Sequence, residues 1–385
     1  MPALYDTIII GAGIAGASLA HILTKQNQKV LVLDKNGIAS GGSGAAGAFV
    51  SPKIGKGSAL QSLTNEAFEF AKDFYLATCP EYFHQTGVIR IPKDEVDAGK
   101  FTEYEKFNDT VYETYSKEKL QSLGIESEFD SFFFPDAGDC DAPQVCEYLL
   151  RNVEVLKFEV LEFKKEEEYW NIVGRGVPQG HIFQGVLSPT IKAKNIVLAT
   201  GYESNLTDLR YMGIRGTWGT RGDFSSKLGL PVSMHQTMSV GANISGVIKL
   251  GATHEKEVTE VVPCSEAQAL SLKEKASSLI DTSDLALKEL FCGMRAGSKD
   301  YFPLVGQVID VQYMLETYPA IVRGAKPELE HVDNLYALNG LGGRGFVFAP
   351  LMAKMLAENI LEEKEIDKRV NADRLFLKWC RKLNN

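Results

Sequence analysis

Gly11, Gly13 and Gly16 stand between an apolar run and a run that favours helix, and glycines at that spacing can cradle a diphosphate. The first permits a tight turn. The second lets the main chain approach the pyrophosphate, and the third lets the helix pack on the strand. The anion would rest on the unpaired amides around Ile14 and Ala15, at the positive end of the helix. Asp34, followed by Lys35, ends the next apolar run and can accept hydrogen bonds from ribose hydroxyls. Such a triplet alone is weak evidence, but here a strand precedes it, a helix follows it and an acid closes the next strand.

Those residues do not choose between FAD and NAD. Two further segments favour FAD. One is Ala199-Thr200-Gly201, a glycine turn after a buried strand. The other is Asn339-Gly340-Leu341-Gly342-Gly343-Arg344-Gly345-Phe346, leading to a helix predicted to begin at Ala349-Pro350, because proline suits a first helical turn. Amides of that loop and the helix dipole could face the flavin N1 and C2 carbonyl, the edge that becomes anionic on reduction. Ser43, Gly44 and Val160 complete the expected cofactor contacts.

The elements that must position these residues follow from periodicity. Tyr5–Ile10 and Lys29–Leu33 read as strands around an Ile14–Lys25 helix. Ser58–Tyr75 reads as an amphipathic helix, Gly87–Pro92 as a strand, and Phe101–Phe129 as two short helices. Val153–Phe163 and the run through Trp170 form strands about a charged tip, Lys164–Glu168, and Ile196–Ala199 is a short buried strand. Arg215–Thr259 alternates like strands, Ser265–Leu290 reads as helix, and Asn334–Leu338 as strand. Nucleotide signals therefore lie at both ends and in the middle. The predicted fold is α/β (α+β): a discontinuous Rossmann-like FAD-binding domain (1–80, 140–210 and 295–385) with an inserted sheet-rich substrate domain (81–139 and 211–294).

Composition sets the outer bounds. A chain of 385 residues fits about two domains. A net charge of −9 argues against a surface coated for nucleic acid but allows a local basic face. The six cysteines form no CxxC pair, so neither a metal site nor a disulfide framework is expected, and a reduced, cytoplasmic compartment is the simpler reading. Thr7–Leu23 is apolar but lacks a basic leader, so neither a signal peptide nor a membrane span is expected.

The chain resembles the D-amino-acid-oxidase-like FAD oxidoreductases, the group of glycine and sarcosine oxidases. The likeness covers the start through Pro52, the Ala199-Thr200-Gly201 turn, Met294–Gly306 and the C-terminal glycine loop and helix. Within the family it is most similar to the oxidoreductase domain of bifunctional enzymes that build a modified wobble uridine in tRNA. That narrower match rests on Ala39–Gly44, on Arg295 through Asp300-Tyr301-Phe302-Pro303-Leu304-Val305-Gly306, on Leu341–Gly345 through Ala349-Pro350-Leu351, and on Asn371–Phe376. Those enzymes carry a methyltransferase domain ahead of the oxidoreductase. Here the fingerprint lies within a dozen residues of Met1, so the expectation is a stand-alone oxidoreductase, with any methyltransferase a separate protein.

The resemblance implies noncovalent FAD and removal of hydride from the carbon between nitrogen and carboxylate of an N-substituted glycine. The product imine would hydrolyse to glyoxylate and a shorter amine. The substrate is either the carboxymethylaminomethyl arm of tRNA or a free amino acid such as glycine, sarcosine or a D-amino acid. A non-catalytic flavin-binding subunit is the remaining alternative. Arg295 is the expected carboxylate anchor, since guanidinium grips carboxylate with two prongs; its bland alternative is an ion pair with Asp300. Arg344 could face the flavin edge or carry carboxylate. Lys249 falls where some relatives place a lysine over the flavin, and His254 has a weaker claim of the same kind. Two segments could contact phosphate: Arg210, Arg215, Arg221 and Lys227 with Tyr211 and Trp218, and Arg369, Arg374, Lys378, Arg381 and Lys382 with Trp379.

Overall fold

A computed structural model describes residues 4–176, 191–203 and 205–384. Its first element is the strand Leu4–Ile10, and the fingerprint turn passes directly into the helix Ile14–Lys25. Val30–Asp34 then returns parallel to the first strand, with Ile10 opposite Leu33, so Asp34 ends level with the turn. The strand Ile191–Leu198 pairs on the other side of the first strand, and His331–Asn339 pairs beyond it, both parallel. Glu154–Glu166 pairs parallel to Val30–Asp34, then turns antiparallel through Tyr169–Gly176 to rejoin Ile191–Leu198. Leu304–Ile309 closes the far edge of this seven-stranded sheet, antiparallel to His331–Asn339. Parallel strands covered by helices on both faces read as continuous apolar runs, and Ile8, Ile9, Leu31, Val32, Leu33, Ile196 and Val197 are all fully buried.

The second sheet has eight strands drawn from the segments between. Val88–Arg90, Ser131–Phe134, Arg215–Ser225, Ser233–His235, Val247–Gly251 and Ala286–Gly297 are its main members. One face packs on a core of Ile89, Met234, Ile248, Leu250 and Phe224, covered by the helix Glu266–Ala276. Strand alternation sends Arg90, His235 and Lys249 to the opposite face. Among the described residues no helix is long and apolar enough to cross a membrane.

Four expectations need correction. The Ser265–Leu290 helix stops at Ala276, and a strand, Ala286–Gly297, begins before its predicted end. The cause is Asp281-Thr282-Ser283-Asp284, a turn in which Asp281 accepts from the Ser283 amide at 2.8 Å and Asp284 from the Lys227 amide at 2.7 Å. Between the two short helices expected over Phe101–Phe129, which form as Glu95–Tyr104 and Lys117–Ser122, lies an edge strand, Glu113–Tyr115. The C-terminal helix begins at Gly345, not at Ala349, and runs to Glu362 with Pro350 inside it. Proline lacks the amide that would bond the Phe346 carbonyl, and the buried Tyr75 hydroxyl donates to that carbonyl instead, at 2.9 Å. Finally, Cys264 and Cys292 form a disulfide with Cα atoms 5.6 Å apart, a pairing with no CxxC signal in the sequence.

Candidate active site

The nucleotide turn is built from close main-chain approaches. Gly11 has φ +115°, and a Cβ there would lie 2.3 Å from the Ala199 carbonyl oxygen. A Cβ on Gly16 would lie 2.0 Å from the Gly11 carbonyl oxygen, which fixes the helix against the turn. Gly13 caps the helix without a side chain. The Ser43 hydroxyl accepts from the Ile14 amide at 2.9 Å, and the amides of Ala15 and Gly16 have no acceptor within the helix. Gly44 closes tightly on Ala39, whose oxygen would be 2.2 Å from a Cβ at Gly44.

Asp34 organises the same turn: it accepts from the Ala12 amide at 2.9 Å with one oxygen, and with the other from the amides of Asn36 and Gly37, each at 2.9 Å. Lys35 points outward and pairs with Glu203 at 2.7 Å. The Thr200 hydroxyl oxygen is buried with no hydrogen-bond partner among the described residues. Its neighbour Gly201 is joined to the C-terminal loop by Asn339, whose amide donates to the Gly201 carbonyl at 2.8 Å and whose oxygen accepts from the Gly340 amide at 2.8 Å. Gly342–Arg344 make one tight turn before the C-terminal helix, and Gly345 and Phe346 are its first residues. Val160 pairs with Gly174 within the antiparallel strands, beyond the last residue of Glu154–Glu166 that pairs with Val30–Asp34. Unpaired first-turn amides, an orphaned buried hydroxyl and a side-chain-free approach at Gly13 together fit a dinucleotide.

Arg295 lies on Ala286–Gly297, in register with Thr217. Both of its terminal nitrogens donate to the Thr253 carbonyl, each at 3.1 Å. A Cβ on Gly219 would sit 2.2 Å from the guanidinium, so that glycine makes the room the side chain occupies. Burial lowers its pKa. Asp300 does not neutralise it, because Asp300 is gripped from two nitrogens of Arg374, each at 3.0 Å. Arg295 is therefore a desolvated cation whose hydrogen-bond partner among the described residues is a carbonyl. The Cβ position of Gly343 is 3.9 Å from its Cδ, which brings the anchor beside the glycine loop.

Arg344 donates to the Ser51 carbonyl at 3.1 Å, and burial pushes its pKa down to about 10. Lys249 is not an unpaired cation. Its ammonium donates to Asp141 at 2.8 Å, Asp139 at 3.2 Å and the Cys140 carbonyl at 3.2 Å. Asp141 also meets the His84 ring at 2.9 Å, and the Ser233 hydroxyl donates to Asp139 at 3.0 Å. His254 is exposed, its Nδ1 3.1 Å from the Ala252 carbonyl; partial desolvation and then the Arg295 charge lower its pKa. Sequence reasoning missed Arg90, Lys53 and the Asp139–Asp141–His84 group. A signal existed for Arg90 alone, a charge between apolar residues in Val88-Ile89-Arg90-Ile91.

Of the basic residues weighed for nucleic acid, several are spent internally. Arg221 is buried, pairs with Asp223 at 2.8 Å and donates to the carbonyls of Gly44 and Ala46, holding the glycine-rich loop to the second sheet. Arg369 pairs with Asp367 and Glu66, Arg374 with Asp300, and Arg210 with Asp208. Tyr211 and Trp218 are buried in the cores.

A family model described as FAD dependent oxidoreductase matches residues 6–359. The chain belongs to that family. This FAD-dependent oxidoreductase is 25% identical over 96% of its length to the tRNA 5-methylaminomethyl-2-thiouridine biosynthesis bifunctional protein MnmC of Stutzerimonas stutzeri, and covers 59% of that protein. It is 24% identical to the protein of the same name from Maricaulis maris, over 92% of this chain and 51% of the relative. The oxidoreductase thus spans little more than half the length of these curated relatives. Its fold matches glycine oxidase from Bacillus cereus (TM-score 0.74, 19% identity, 94% of this chain and 96% of the other). It also matches iminodiacetate oxidase from Chelativorans sp. BNC1 (TM-score 0.72, 16% identity, 96% and 98%).

Proposed function

We propose that this enzyme oxidises the C–N bond of an N-substituted glycine, with the carboxymethylaminomethyl arm of tRNA wobble uridine preferred, releasing glyoxylate and the shorter amine. The observation that carries the reading is Arg295, a desolvated guanidinium that pairs with no acid among the described residues and whose two terminal nitrogens share one carbonyl, that of Thr253. A substrate carboxylate supplies the missing charge in two-pronged geometry. FAD, when bound, supplies the hydride acceptor. The chain's own residues bind and orient: Arg295 fixes the carboxylate, the Gly342–Arg344 turn approaches beside it, and the carbon between carboxylate and nitrogen is presented to the flavin. The same reading divides the chain into an FAD-binding unit (1–80, 140–210 and 295–385) and a substrate unit (81–139 and 211–294), with the FAD held noncovalently in a cytoplasmic protein.

Two things favour tRNA over a free amino acid. One is the name of the curated relatives. The other is a basic surface. Contact with Lys382, and the charges of Lys382, Arg215 and Lys378, lower the pKa of the exposed Lys299, and none of the four has an ion-pair partner among the described residues. Both basic segments thus meet beside the strand end that follows Arg295, on a protein of net charge −9, and phosphate contact needs such local positive charge. The test is anaerobic bleaching of the flavin by carboxymethylaminomethyl-modified tRNA, glycine and sarcosine. Bleaching by the free amino acids alone removes the tRNA reading. Arg295→Ala is expected to lose about 30-fold or more in rate over affinity, the equivalent of about 2–5 kcal/mol, and Arg295→Lys is expected to recover little because a point charge lacks the fork. A wild-type rate in Arg295→Ala removes the anchor.

A further inference from the structure

Three cations and a histidine form a cluster, and among the described residues no acid pairs with the cations. Ile89 and Met234 point into the core of the second sheet, so Arg90 and His235, next along and directly in register, project from its other face. Arg344 joins the cluster from the glycine loop and donates to the Ser51 carbonyl; Lys53 follows two residues later. Among the described residues no carboxylate lies within ion-pair distance of Arg90, Lys53 or Arg344, in a chain that has more acids than bases. Asp97 is the acid whose charge reaches Arg90, and it accepts from the Lys93 amide at 3.3 Å. All four groups are half-buried and keep part of their surface open.

The electrostatics agree with this geometry. Burial, then the Arg344 charge, pushes Arg90 down to about 9. Burial, then Arg344 and Arg90, lowers Lys53. Burial, then Arg90, Arg344 and His254, holds His235 well below its ordinary value and so neutral. His254 also feels Arg295, which links the cluster to that residue. Crowding like charges in a desolvated pocket costs free energy, and a bound anion relieves that cost.

We propose that Arg90, Lys53 and Arg344 form a second anion subsite, which takes a phosphate or carboxylate carried on the N-substituent of the substrate while Arg295 holds the glycine carboxylate. The proposal rests on the reading of Arg295 as the carboxylate anchor for N-substituted glycines. Two planar forks and an ammonium suit a group with several charged oxygens. Glycine and sarcosine leave the subsite unfilled.

The test uses the FAD-loaded protein and three substrates: sarcosine, N-carboxymethylglycine, and an N-substituted glycine ending in phosphonate. Half-saturating concentrations are read from anaerobic flavin bleaching. Arg90→Gln and Lys53→Gln are expected to raise the ratio of dianionic substrate to sarcosine by about tenfold, the scale of one lost charge-assisted contact. Whichever terminus suffers more identifies the anion. In parallel, inorganic phosphate is expected to raise the thermal midpoint of the holoprotein, and Arg90→Gln to abolish that rise. This second measurement needs no turnover, so it decides the subsite even if no N-substituted glycine reduces the flavin. Equal losses for sarcosine and the dianions overturn the proposal. So does a shifted flavin potential with the phosphate response intact, which would assign the cluster to the reduced cofactor.

Discussion

Two groups of charge share one face of the eight-stranded sheet and are built in opposite ways. Around Lys249, each charge is answered: two carboxylates, a carbonyl, a histidine and a serine hydroxyl close the network. Around Arg90, among the described residues, no carboxylate pairs with the charges: two guanidiniums and an ammonium act on one another. The first arrangement is what a fold needs to bury ions, since good geometry and extra hydrogen bonds must offset desolvation. The second is what a ligand site looks like before its ligand arrives, with stability given up for binding. Both clusters begin with a lone basic residue on an alternating strand, so residue type does not separate them; their partners do.

The comparison breaks or holds on three measurements. Lys249→Met leaves the buried Asp139 and the half-buried Asp141 without their shared cation, and unfolding by denaturant is expected to show a loss of about 3–5 kcal/mol. A loss under about 1 kcal/mol would mean that the network is not closed. The pH dependence of that network sharpens the point. Burial would raise Asp141, but bonds from His84 and Lys249 outweigh it and hold its pKa well below the usual carboxylate range. Its contribution is therefore present above an unfolded pKa of about 4 and lost as pH falls through the folded value. The Asp141 bond raises His84, against burial, so that contribution is full below about 6.5 and lost as pH rises through the folded value. The stability gap between wild type and Asp141→Asn is expected to be widest between about pH 4.5 and 6.5, with a gap that keeps growing above that window counting against the pair. The smallest effect is expected at the other cluster. Arg90→Met removes a charge with no partner, so stability should change by less than about 1 kcal/mol or rise. A drop like that of Lys249→Met would show that Arg90 has a structural partner after all.

The first βαβ unit was legible because its requirements are local. Gly11, Gly13, Gly16 and Asp34 lie in one short βαβ unit, where spacing and backbone freedom carry the information. The helix Ile14–Lys25 appears with the bounds that its periodicity predicts. The eight-stranded sheet depends on contacts between distant segments. Nothing near Lys249 announces Asp139 and Asp141, which reach it from a strand end and a helix start far earlier in the chain. The misplaced start of the C-terminal helix has the same origin. Proline favours the first turn by local rule, yet Tyr75, on a helix remote in sequence, satisfies the carbonyl that Pro350 leaves free. Arg295 was readable as a candidate, but its freedom from Asp300 depends on Arg374. The Cys264–Cys292 pair depends on where a late strand passes a loop.

The pairing order of the first sheet also bears on how the chain comes together during synthesis. The strand Leu4–Ile10 is flanked by Val30–Asp34, made at once, and by Ile191–Leu198, made much later; the neighbour of the latter, His331–Asn339, comes later still. Asn339 then ties the Thr200–Gly201 turn to the last loop. A ribosome therefore releases the phosphate turn long before the strands and loop that complete its surroundings. Loop closure over such separations is slow, and early βαβ segments with open edges are exposed to misassociation while they wait. A nascent chain halted before Asn339 would hold the fingerprint turn without the residue that ties Gly201 to Gly340.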